Sequence, residues 1–96
     1  MEALYLIAVI KPALDRTDEV LALARTMVAE TLKEPGCEFY DLVVAEDEPD
    51  TWLMLEKWSS RDHWNAHMES DHVRAGNKAF EGKLRAETEL RFYGPR

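Results

Sequence analysis

The chain's 96 residues make room for one domain, because a second hydrophobic core could not be assembled from what a first leaves over. Hydrophobic residues at 46% beside charged ones at 32%, with only four Gly and four Pro, exclude a disordered or low-complexity chain. Twelve Lys and Arg against nineteen Asp and Glu leave a net charge of -7, which repels phosphate backbones and anionic lipid, so neither nucleic acid nor a membrane surface is an expected partner.

Ala3 to Lys11 (ALYLIAVIK) is rich in β-branched and aromatic residues on both sides and stops at Pro12, which predicts a strand covered on both faces. Its apolar run, Ala3 to Ile10, is too short to span a bilayer, and no signal-type segment precedes it, so a cytoplasmic protein is expected. Asp15 to Glu34 carries Val20, Leu21, Leu23, Ala24, Met27, Val28, Thr31 and Leu32 at helical spacing, with Glu34-Pro35-Gly36 as the stop. Asp15 and Thr17 are both candidate N-caps, and Asp18 and Glu19 suit the positive end of the helix dipole. Cys37 to Glu46 predicts a second strand, Asp47 to Asp50 a turn, and Thr51 to Ser59 a third strand, together an antiparallel hairpin. Cys37 is the single cysteine, which excludes an internal disulfide, and its place at the mouth of an apolar strand fits a packed structural thiol. Ser59 or Ser60 caps a helix to about Met68, Ser70 caps another to about Lys83, and Arg85 to Tyr93 returns to strand character.

The order is β-α-β-β-α-β with a broken second helix, an α+β ferredoxin-like arrangement whose antiparallel four-stranded sheet carries its helices on one face. The sheet's other face should then alternate with polar residues, and it does not. Tyr5, Ile7 and Val9 oppose Leu4, Leu6, Ala8 and Ile10, while Leu53 and Leu55 oppose Trp52, Met54 and Trp58. A second copy of the same face is the simplest cover, so a two-fold homodimer is expected.

Glu56 to His72 holds two of the three tryptophans and all three histidines in seventeen residues. Trp52, Met54, Glu56 and Trp58 share one strand face, and Trp58 and Trp64 can serve equally as core filler or as lining of a cavity between sheet and helices. His63 and His67 lie four apart on one helix face, and His72 can turn back toward His67 if the break at Ser70 bends the chain inward. Imidazoles of near-neutral pKa can supply general acid and base, which makes His67 and His72 the candidate catalytic residues. His63, between Arg61-Asp62 and Trp64 at the helix start, suits a solvated ring. No metal site is expected: the His63 and His67 spacing lacks the adjoining Glu of zinc peptidases, although Glu69, Asp71 and His72 are near. Scattered glycines offer no phosphate loop or dinucleotide fingerprint, so no flavin, nicotinamide or nucleotide cofactor is expected.

Glu34-Pro35-Gly36-Cys37 with Tyr40, then Glu56-x-Trp58, then His67 followed by Ser70-Asp71-His72, resembles the antibiotic biosynthesis monooxygenase family across essentially the whole chain. The resemblance implies a dimeric α+β barrel of ferredoxin-like protomers, each with a pocket between sheet and helices. The family includes small oxygenases of quinols or polycyclic phenols that use neither metal nor flavin, haem-degrading enzymes, and an isomerase of a phosphorylated signalling metabolite. Its cofactor-free oxygenases imply pocket positions at Trp58 and Trp64. Their asparagine four residues before the first tryptophan is Met54 here, and their cationic partner in the last helix falls at best on Lys78. Haem cleavage is not expected, because the first-strand asparagine is missing, the helical tryptophan falls at His67 and the histidine at Asn77.

The expected activity is therefore that of a cofactor-independent monooxygenase acting with dioxygen on a quinol or polycyclic phenol-type small molecule, an aromatic or quinone-like substrate held between sheet and helices. His67 or His72 would remove a phenolic proton, Trp58, Trp64, Phe39 and Tyr40 would form a flat apolar slot with Met54, and Lys78 or Arg74 would face the oxyanion. Two other classes use the same residues: an acid–base isomerase of a small diketone, and a dimeric ligand-binding module without chemistry.

Overall fold

The computed structural model of the chain describes residues 2–96. Its elements run β1 (Leu4–Ile10), α1 (Thr17–Thr31), β2 (Cys37–Ala45), β3 (Glu48–Trp58), α2 (Arg61–Met68), α3 (Asp71–Phe80) and β4 (Glu89–Tyr93). The strands pair antiparallel in the order β2-β3-β1-β4, which is the ferredoxin-like sheet, with the second helix divided into α2 and α3.

Side-chain alternation sorts the two central strands into layers. Leu4, Leu6, Ala8 and Ile10 of β1 are buried under the helices, as are Trp52, Met54, Glu56 and Trp58 of β3. Register keeps the two rows adjacent, with Ala8 opposite Met54 and Leu6 opposite Glu56. Helix α1 closes over them with Val20, Ala24, Met27 and Thr31, a single stripe of seven-residue character. Trp58, with no exposure at all, anchors this layer; truncating a buried aromatic of that size costs roughly 3–5 kcal/mol. Helix α3 adds Val73, whereas the buried residue of α2 is His67, so an imidazole stands where an apolar side chain would usually seal the core.

Ser60 caps α2 by accepting from the His63 N–H, and Ser70 caps α3 by accepting from the Val73 N–H. The Ser70 hydroxyl also donates to the His67 carbonyl at 2.7 Å, so one residue ends α2 and starts α3 within a single bend. Several boundaries differ from those expected. Neither Asp15 nor Thr17 caps α1; the turn closed by Arg16 N–H to Ala13 O at 2.9 Å puts Arg16 in that position, and the Thr17 hydroxyl donates to Leu14 O. The hairpin turn is Glu46-Asp47, and β3 already begins at Glu48, beyond the end of β1, where Pro49 lies with β2 as its only paired neighbour. Helix α3 stops at Phe80 before Gly82, whose positive φ of 76° turns the chain. Arg85 is not in the last strand: its guanidinium donates to the carbonyls of Pro12 and Asp50 and to the Thr51 hydroxyl, and pairing resumes at Glu89.

On the face away from the helices, Tyr5, Ile7, Val9, Leu53 and Leu55 are half-buried and Val43 is exposed, a continuous apolar surface across three strands. No helix among the described residues is long and apolar enough to cross a membrane.

Candidate active site

Between the helix-facing side of the sheet and α1, α2 and α3 lies a cavity of about 230 Å³. Its walls are mainly apolar: Ala8, Ile10 and Met54 from the sheet, Met27 from α1, Trp64 and Met68 from α2, Phe80 from α3. Five polar side chains reach it, namely Tyr40, Glu56, His67, Asn77 and Thr88. No Lys or Arg lines it among the described residues.

His67 is held from behind. Its Nδ1 lies 2.5 Å from Glu34 Oε2, and the same carboxylate oxygen is 3.0 Å from His72 Nε2, which in turn lies 3.3 Å from the Thr31 hydroxyl. A carboxylate accepts only, so each imidazole donates its facing N–H, and His67 is thereby fixed with Nδ1 protonated and Nε2 bare. No buried side-chain nitrogen or oxygen among the described residues lacks a partner, yet Nε2 has none from the protein; it is therefore the atom open to the cavity. Burial pulls the His67 pKa below the usual imidazole value, with Glu34 opposing and His72 assisting, so the ring is a neutral base at pH 7. Among the described residues, Glu34, His67 and His72 are the trio whose metal-ligating atoms gather, all within 4.8 Å, and they are already joined by hydrogen bonds.

Glu56 is the second ionisable group. It is 4% exposed, and its Oε1 accepts from the Trp58 indole N–H at 3.0 Å, which leaves Oε2 as the oxygen open to the cavity. Burial pushes its carboxyl up to about 7, against the Trp58 hydrogen bond and with help from the Glu34 charge. Burial likewise drives the Tyr40 phenol well above its ordinary value, so Tyr40 stays protonated, and the Cys37 thiol up to about 11, which makes it an inert packed thiol.

The structure gathers some of the residues singled out from sequence and separates others. Tyr40, Met54, Trp64 and His67 line the cavity. Trp58 stands behind the wall, its ring 4.7 Å from that of His67 and its indole N–H on Glu56, where it orients both. His72 does not line the cavity and meets it only through Glu34. Phe39 lies on the opposite sheet face, beside Tyr5 and Leu55. Lys78 and Arg74 are exposed outside the lining, because the inward positions of α3 are Val73, Asn77 and Phe80. His63 is not simply solvated: its Nδ1 lies 2.8 Å from the Ser60 hydroxyl, and its ring covers Gly36, where an added Cβ would stand 2.2 Å from it. Gly36 also has φ +82°, so that position takes glycine on both counts. Glu34 and Glu56 escaped assignment from sequence, Glu34 because it reads as a helix stop, Glu56 although its place between Met54 and Trp58 already put a carboxyl on a buried face.

A ferredoxin-like protein with a mainly apolar pocket between helices and sheet, containing a carboxylate-held imidazole, is the class these features define. The family model described as antibiotic biosynthesis monooxygenase matches residues 3–79. YgiN of Escherichia coli (strain K12), named a probable quinol monooxygenase, is 30% identical over 82 residues, which cover 77% of this chain and 79% of that protein. The solved structure of a conserved protein from Methanosarcina mazei Go1 matches with a TM-score of 0.92 at 29% identity, over 97% of this chain and 92% of that one. Rv0793 from Mycobacterium tuberculosis shares the fold, with a TM-score of 0.93 at 24% identity over 98% of this chain and 95% of that one. The chain belongs to the antibiotic biosynthesis monooxygenase family.

The raised Glu56 pKa has a measurable cost. The unfolded chain ionises this group from about 4.5 upward while the native state keeps its proton until about 7, so the native state binds more protons between those values and loses stability as pH rises through them. The loss amounts to about 3 kcal/mol. His67 acts with the opposite sign, since a depressed imidazole costs stability as pH falls. Glu56→Gln should remove the first component alone: urea unfolding between pH 4.5 and 8 should show the variant gaining on the parent protein as pH rises. Parallel curves would contradict a carboxyl held neutral by burial.

Proposed function

We propose that the chain is a monooxygenase of a small quinol, working with dioxygen and no cofactor. The observation that carries the reading is the bare Nε2 of His67 facing an apolar cavity while its Nδ1 is fixed by Glu34. A quinol in the cavity loses a phenolic proton to Nε2, and the resulting anion is electron-rich enough to reduce dioxygen itself. One oxygen atom enters the ring and the other leaves as water, giving a hydroxyquinone. Water exclusion protects the reactive anion, and Trp64, Tyr40 and Met54 offer flat apolar contact. His72 acts as a positioning residue through Glu34. Lys78 and Arg74 have no part, so the oxyanion's one charged partner is the His67 imidazolium formed by the proton transfer.

Size and charge narrow the substrate. A cavity of roughly 150 Å³ holds a benzene ring, so about 230 Å³ suits one ring or a fused pair and not a polycyclic phenol of three or four rings. The lining without cations also argues against a phosphorylated substrate. That YgiN is named for quinol monooxygenation supports the same class. Acid–base isomerisation of a small diketone is the second reading, favoured by a neutral base and a protonated carboxyl in one cavity. Product mass separates the two, since isomerisation leaves it unchanged. The lone cysteine, without a disulfide, suits a reducing cytoplasm.

We also propose that two copies pair through their open sheet faces, covering Tyr5, Ile7, Leu53 and Leu55. Sedimentation at micromolar concentration should give a particle of two chains, and Leu55→Lys should yield monomers or unfolded chain; a well-folded lone subunit of the parent protein contradicts the pairing.

Oxygen uptake with 1,4-naphthoquinol, corrected for autoxidation, tests the activity. The parent protein should consume oxygen and yield a hydroxyquinone, and His67→Ala should lose on the order of 10²–10⁴-fold in turnover. An unchanged rate in His67→Ala removes the imidazole from the mechanism.

A further inference from the structure

Resting on the monooxygenase reading, we propose that Glu56 is a second catalytic residue: its neutral carboxyl gives the proton on Oε2 to the peroxide formed when dioxygen adds to the substrate, and takes a proton back from carbon as the O–O bond breaks. The need for such a donor follows from the reaction. When the quinol anion adds dioxygen, a C–O bond forms with both electrons from the substrate, and negative charge appears on the distal oxygen. The cavity has no Lys or Arg among the described residues, and the one cation formed in it, His67 after the first proton transfer, faces the ring oxygen, so the distal charge is relieved by a proton.

Elimination identifies the donor. Asn77 and Thr88 reach the cavity but carry no proton acidic enough to transfer. Burial makes the Tyr40 phenol weaker still as an acid. His67 has just taken the phenolic proton and faces the ring oxygen. The fifth polar group is Glu56, with Oε1 tied to the Trp58 N–H and Oε2 open to the lumen. Trp58 is wholly buried, so this carboxyl cannot swing away. Burial and the Glu34 charge raise its pKa to about 7 against the Trp58 hydrogen bond; Cys37 and Tyr40 on β2 are its other titratable neighbours, His67 on α2 is neutral at rest, no Lys or Arg lines the cavity among the described residues, and β1, α1 and β4 present apolar side chains to it.

The cycle balances. Nε2 of His67 takes the phenolic proton; the anion and dioxygen form the peroxide; Glu56 protonates it to a hydroperoxide and becomes a carboxylate. That carboxylate then removes the hydrogen on the oxygenated carbon, whose electrons form C=O as the O–O bond breaks and hydroxide departs. Hydroxide takes the proton from His67 to become water, so quinol and dioxygen give hydroxyquinone and water with both residues restored. Without the donor the peroxide anion has another exit, expelling hydroperoxide to leave the plain quinone.

Glu56→Gln preserves the shape and an acceptor for the Trp58 N–H but has no transferable proton. With 1,4-naphthoquinol, this variant should form hydroxyquinone on the order of 10²-fold or more slowly. Its products should shift toward plain quinone and hydrogen peroxide. The parent protein's turnover should fall as pH rises past about 7, and that alkaline limb should vanish in the variant. A folded Glu56→Gln protein with the parent's rate, product ratio and alkaline limb overturns the proposal and leaves the monooxygenase reading intact; no oxygen uptake by the parent protein overturns both. Should Glu56→Gln not fold, Trp58→Phe removes the N–H that favours the ionised carboxyl and should move the alkaline limb to higher pH, and an unmoved limb overturns the proposal.

Discussion

A single carboxylate oxygen, Oε2 of Glu34, ties the architecture to the chemistry. It sits in the turn after α1 and accepts from His67 on α2 and from His72 on α3, joining three segments at one atom. Each hydrogen bond to an ionised group is worth roughly 1.5–3 kcal/mol, and a buried carboxylate stripped of its partners costs more than that. The local sequence exists to place it. Gly36 turns the chain at positive φ and lies flat under the His63 ring, and Ser70 ends α2 where its last turn delivers His67. From that one atom follow the His67 tautomer, the direction of its bare nitrogen and the closure of the cavity's end.

Two carboxyls then occupy one site in different surroundings. Glu34 meets two imidazole N–H donors; Glu56 has a single indole donor, and deep burial with a negative neighbour raises its pKa to about 7. Environments that drive paired groups apart are how one protein holds an acid and a base together at neutral pH. Trp58 is common to both halves, since its ring packs on His67 while its N–H anchors Glu56. Trp58, read from sequence as slot wall or core filler, is thus the side chain that packs on His67 and holds Glu56.

Much of the fold was legible because its signals are local. Strand alternation over residues 3–11 and 51–59 sorted the two faces correctly, and the eight positions at helical spacing over residues 15–34 included the four, Val20, Ala24, Met27 and Thr31, that form the buried surface of α1. The Glu-Pro-Gly, Glu-x-Trp and Ser-Asp-His segments led to the family itself. What escaped depends on features that period and composition do not carry. Phe39 was assigned with Tyr40 to one slot, yet a bulge sets Cys37 opposite Trp58 and Phe39 opposite Lys57, which turns Phe39 to the other face from Cys37 two residues before it. Lys78 was assigned from its place in the last helix, but the phase of α3 is set by the bend at Ser70, which brings Asn77 to the cavity instead. Glu34 and His67 are 33 residues apart in sequence, and only the packing of helices on the sheet joins them.

Which nitrogen of His67 carries the proton decides whether this ring can act as the base, and long-range ¹⁵N–¹H NMR of the imidazole reads it directly near pH 7. Protonated Nδ1 and bare Nε2 in the parent protein, with the preference lost in Glu34→Gln, is the predicted result. A proton on Nε2, or a tautomer mixture indifferent to Glu34, would contradict the claim that this carboxylate makes His67 the base.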